Sequence, residues 1–132
     1  MPAAIRWHTG PDVDRTRAEL IARHLSAETE LIAGRLANHL RYYFPATPLV
    51  SLPERWHEAF VRDRSVDPIA LVRALVAEAG RPCVLSNDAV RFLYDIGADP
   101  LRLVATEQAF IAPEDPSVAL FPVAASSGAP TK

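Results

Sequence analysis

The chain has 132 residues, 14 of them Lys or Arg and 16 Asp or Glu, for a formal net charge of −2. That length suits one domain with a real core, and the near-neutral balance disfavours a dedicated nucleic-acid binder, which carries a basic patch. A single cysteine excludes an intramolecular disulfide and any multi-cysteine metal site.

Thirteen of the fourteen basic residues are Arg, and alanine alone supplies 22 residues. That bias fits a GC-rich bacterial genome. Met1 to Pro11 contains no apolar targeting core, and Asp12 and Asp14 follow at once. The longest apolar stretch, 118–125, is far short of the roughly 20 residues that span a bilayer. A soluble, cytoplasmic protein is the expectation.

Twelve prolines against five glycines punctuate the chain. Proline breaks helix interiors but is welcome in the first turn. The longest proline-free window, 12–44, predicts a long helix from near Pro11 to near Tyr43. At 100° per residue it sorts Ala18, Ile21, Ala22, Leu25, Ile32, Leu36, Leu40 and Tyr43 onto one seam. Ala18, Leu25, Ile32 and His39 lie seven apart, a heptad spacing that suits a partner helix. Gly34 would cost about 1 kcal/mol against Ala in that helix, and Ser26 offers an alternative break.

Pro45 to Leu52 reads as a loop. Ser51-x-x-Glu54 with Pro53 between them opens a short helix to Asp63, with Trp56, Ala59 and Phe60 inward. Asp67-Pro68 caps a helix that ends at Gly80. Cys83–Leu85 is a short apolar run fit for a strand. Ser86 caps a helix over 87–96 with Val90, Leu93 and Tyr94 buried. Asp99-Pro100 opens a last helix to about Phe110. The expected architecture is therefore mainly α: a single bundle of about five helices over 1–112, followed by a Pro-rich, partly disordered tail over 113–132. Residues 3–8, 83–85 and 118–123 leave room for a minor two- or three-stranded β element, the last as an edge strand.

No catalytic constellation assembles in this order of residues, and no cofactor motif is present. Glu54-x-x-His57 is half of a carboxylate-bridged di-metal motif without a second copy. His24 and Glu28 share a helical face, but His39 would lie about 16 Å further along the axis. These four residues, His24, Glu28, Glu54 and His57, are weak metal candidates. Arg17-x6-His24 matches a loose spacing seen in RNA-cleaving helical bundles, too unspecific in an Arg-rich chain to assign anything. Residues 87–110 outline a helix-turn-helix, but 86–112 carry two Arg against four acids, the wrong sign for phosphate contacts. Cys83, among apolar neighbours, reads as a buried structural thiol.

The expectation for function is a non-enzymatic protein-interaction module: an adaptor, accessory subunit or regulator. It would bind another protein, or itself as a homodimer, through Ile21, Leu25, Ile32, Leu36, Leu40 and Tyr43. Tyr42, Trp56 and Phe60 could add an aromatic anchor. A DNA-binding regulator and a helical metal-dependent enzyme are the alternatives.

Overall fold

The computed structural model describes residues 13–124. Five helices and a five-stranded mixed sheet build an α/β fold, not a mainly α bundle. In chain order, α1 (Val13–His24) leads to β1 (Glu30–Ala33), α2 (Ala37–Tyr43), β2 (Leu49–Ser51), α3 (Leu52–Arg62) and α4 (Pro68–Ala79). β3 (Cys83–Ser86) and α5 (Asn87–Asp95) follow, then two 3₁₀ turns, β4 (Phe110–Ile111) and β5 (Ala119–Pro122). The strand order is β2-β1-β3-β5-β4. β1 is parallel to both β2 and β3, while β5 runs antiparallel to β3 and β4.

The first correction falls on the long helix. It breaks at Leu25–Ser26, where the Ser26 hydroxyl accepts the Glu28 N–H and the Ser26 carbonyl accepts the Thr29 N–H. Such a local turn competes directly with the helical ladder. The chain then re-enters as a strand. Leu31 N–H reaches the Pro48 carbonyl on one side and Glu30 N–H the Pro82 carbonyl on the other. Leu31, Ile32 and Ala33 are all buried. A strand covered on both faces is a continuous apolar run, and periodicity alone does not separate so short a run from a buried segment of helix.

β1 divides the core. Leu31 and Ala33 pack with Ala18 and Ile21 of α1, Leu40 of α2, and Leu120 of β5. Ile32 points the other way, into Leu52, Ile69, Val72, Leu75, Leu85, Ala89 and Leu93. The sheet is therefore sandwiched by α1 and α2 on one face and by α3, α4 and α5 on the other. The β1–α2–β2 connection moves outward along the sheet, and β2–α3–α4–β3 returns past β1. Right-handed crossovers in opposite directions place their helices on opposite faces.

The middle of the chain follows its local signals. Ser51 accepts the Glu54 N–H to cap α3, and Asp67 accepts the Ala70 N–H to cap α4. Gly80 ends α4 at φ 66°, a left-handed conformation that costs glycine little. The last helix expected over 99–110 does not form. Two 3₁₀ turns, Pro100–Arg102 and Thr106–Gln108, lead instead into β4. β5 is not an edge strand, because β4 covers its free side. Residues 113–124 thus supply an inner strand and the buried side chains of Val118, Ala119 and Leu120. Orientation within two helices also differs from expectation. Leu52 is the buried residue of α3, with Trp56 half-buried and Phe60 exposed. In α5, Ala89 and Leu93 are buried while Tyr94 faces solvent. The strand expected at 3–8 and the disorder expected near the C-terminus lie outside the described residues.

Candidate functional site

Because β1, β2 and β3 are parallel, their carboxyl ends share one edge of the sheet. At that edge the chain after β1 leaves toward one face and the chain after β3 toward the other. Neighbouring strands whose following helices diverge in this way leave a crevice between them, the usual ligand position in open α/β sheets. The crevice here has a volume of about 640 Å³ and is lined by Arg17, Arg35, Pro53, Asn87, Asp88, Arg91, Phe92 and Asp95. A small metabolite needs a space of that order.

The two turns that frame the crevice are locked together. A Cβ built on Gly34 would stand 2.6 Å from the Asp88 carbonyl oxygen and 2.9 Å from the Ala89 nitrogen. Only glycine lets the β1–α2 turn come so close to the start of α5. The Asp88 carboxylate spans the same junction. One oxygen accepts the Leu36 N–H at 2.8 Å, and the other meets the Ser86 hydroxyl. Leu36 is the N-cap of α2 and brings no capping side chain, so Asp88 caps a helix 52 residues away. Asn87 is equally occupied, donating to the Ser117 carbonyl and accepting the Ala119 N–H. These side chains are structural.

What faces the crevice with donors to spare is guanidinium. Arg35 gives its Nη1 to Asp14 at 2.7 Å. That hydrogen bond lowers the Asp14 pKa against the opposing effect of burial, and it raises Arg35 in return. Arg91 gives its Nε to Asp95 at 3.0 Å. Arg17, on α1, forms a loose ion pair with Asp115: its Nε stands 3.8 Å from a carboxylate oxygen and makes no hydrogen bond. Arginine carries five N–H donors, so all three retain unspent ones.

The sequence-derived candidates are placed elsewhere. Of the interface seam, Ile21, Ile32, Leu36 and Leu40 are core residues, Leu25 is half-buried, and Tyr43 is partly exposed against Tyr42. A continuous seam does not exist, because β1 interrupts it. Tyr42 pairs edge-on with Tyr43 on α2, while Trp56 and Phe60 lie 5.5 Å apart on α3. His24 bonds Glu114 at 3.0 Å and packs on Phe110, whereas Glu54 bonds Arg41. Among the described residues no three His, Cys, Asp or Glu side chains converge on a metal position. The helix-turn-helix outline loses its second helix to the 3₁₀ turns and β4. No helix among the described residues is long and apolar enough to cross a membrane.

Cys83 is buried under α4 and α5. Burial pushes its thiol pKa up, the Glu30 carboxylate adds to the rise, and Arg81 opposes it. Thiolate is the reactive form, so a colourless-to-yellow thiol reagent at neutral pH should modify the folded chain at least tenfold more slowly than the urea-unfolded chain. Equal rates would contradict the buried position. Folding favours the protonated thiol, so its contribution to stability is complete below the unfolded pKa and is lost as pH rises through the folded one.

Half of this site was readable in the sequence, since Cys83–Leu85 followed by Ser86 spells a strand turning into a helix, although the Ser86 hydroxyl turns to Asp88 and makes no capping bond. The other half, Ala33-Gly34-Arg35 after a three-residue apolar run, has the same form but was absorbed into a longer helical period. Compared with protein-family models, curated proteins and solved structures, the chain matches none.

Proposed function

We propose that this protein is a non-enzymatic accessory or regulatory domain that binds a small polar molecule in the crevice between the carboxyl ends of β1 and β3. The observation that carries the reading is the position of the crevice, beside the neighbouring parallel strands β1 and β3, whose following helices go to opposite faces. Binding without chemistry is supported by the burial of the hydroxyl beside the crevice. Ser86 is fully buried and donates to the Asp88 carboxylate, whose other oxygen accepts the Leu36 N–H, so both groups serve the junction between the two turns. The same reading places the protein in the cytoplasm, where a single unpaired cysteine stays reduced.

The test is a panel of small polar metabolites added to the ¹⁵N-labelled full chain. Binders should shift amides of Gly34–Leu36 and Asn87–Arg91. If every binder instead shifts the apolar groove formed by Ala22, Leu25 and Phe44, the proposal is wrong.

A further inference from the structure

Resting on the crevice reading above, we infer that the group recognised there is an oxyanion, a phosphate or carboxylate of a small molecule, gripped by Arg17, Arg35 and Arg91.

These three arginines come from three different elements: α1, the β1–α2 turn and α5. Bringing like charges to one cleft opposes folding unless each is neutralised. The fold neutralises each one sparingly. Arg35 is held through Nη1 alone and Arg91 through Nε alone, so their remaining N–H groups stay available as a planar fork. Such a fork matches carboxylate and phosphate oxygens in pairs. Arg17 is engaged more loosely still: its Nε stands 3.8 Å from an Asp115 carboxylate oxygen and makes no hydrogen bond. A ligand oxygen in the crevice would give this guanidinium the close acceptor that Asp115 does not.

The start of α5 also lines the crevice, where the Asp88 carboxylate already sits in its first turn, so the arginines alone supply the attraction. The opposing charges set the size of the ligand. Asp88 and Asp95 also line the crevice, so three arginines face two carboxylates. Asp14 and Asp115 stand beside Arg35 and Arg17. With four carboxylates around three guanidiniums the surroundings repel an extended polyanion such as nucleic acid, and only an anion small enough to meet the unspent N–H groups directly can bind.

Two matched pairs of probes test the inference on the full chain: adenosine monophosphate against adenosine, and succinate against succinamide. The charged member of at least one pair should shift the Gly34–Leu36 and Asn87–Arg91 amides and bind about tenfold or more tightly than its neutral match. Which pair responds distinguishes phosphate from carboxylate. Affinity should fall with added salt. Arg91→Ala and Arg17→Ala should each weaken binding about tenfold, the scale of a charged hydrogen bond, with partial recovery in Arg91→Lys. Arg91 is 76% exposed, so its replacement leaves the fold intact. If adenosine and succinamide both bind the crevice as tightly as their charged counterparts, the oxyanion inference fails while the crevice reading survives. If no charged probe shifts these amides at millimolar concentration, the inference is overturned, and the metabolite panel alone decides the crevice.

Discussion

Ile32→Glu should abolish folding. Ile32 is 1% exposed at the centre of β1, a strand paired on both sides, and it faces the α3–α4–α5 side of the core. A glutamate there must carry a charge into an apolar layer with no cation facing it, or be protonated and still lose its solvation. The cost is about 4 kcal/mol or more, among the largest single-residue effects and a large share of the whole stability of a domain this size. Circular dichroism during a urea titration is the measurement, with the variant expected to lack a cooperative transition. The same substitution on an exposed helical seam would have separated a dimer and left the helix intact. A folded Ile32→Glu chain that merely becomes monomeric would restore the seam and refute the sheet.

Gly34→Ala separates the two architectures by sign. In a helix interior the change is stabilising by about 1 kcal/mol. Here the new methyl would overlap the Asp88 carbonyl carbon and oxygen and the Ala89 nitrogen, all within 2.6–2.9 Å. These are backbone atoms of a strand-to-helix junction, not the end of a flexible side chain, so the two turns must separate. The expected loss is about 2–3 kcal/mol, the upper range of overpacking. It should appear as a lower urea midpoint with an unchanged slope. The separation should also lengthen the Asp88 to Leu36 hydrogen bond, which reports at the Leu36 amide. An unchanged or raised midpoint would mean that the close approach at Gly34 does not exist in solution.

Both results turn on where the sequence reads well and where it does not. Ser51, Asp67 and Gly80 act within a few residues of themselves, and a cap bond such as Asp67 to the Ala70 N–H is local chemistry. The helices they bound, α3 and α4, are accordingly close to expectation. Leu31, Ile32 and Ala33 carry no such local signature. Their burial on both faces of a sheet depends on Pro48, Pro82 and two strands that arrive later in the chain. The heptad spacing of Leu25, Ile32 and His39 is satisfied equally by a helix and by a helix, turn and strand laid end to end. Asp99-Pro100 shows the reverse case. The Asp99 side chain does accept the Leu101 N–H, yet the helix it opens stops after one 3₁₀ turn. Leu103 and Val104 are buried, and Val104 bridges to Val123 beside the sheet.

By itself the sequence determined the Ser51 and Asp67 caps, the stop at Gly80, the strand at Cys83 and the buried thiol. Those are properties of neighbouring residues. The tertiary structure alone decided that Leu31–Ala33 is a central strand, that β5 is an inner one, and that Arg17, Arg35 and Arg91 surround one crevice. Those relations join residues as distant in the chain as Arg17 and Arg91. Strand pairing and the divergence of helices after β1 and β3 create them, and neither leaves a periodic trace along the chain.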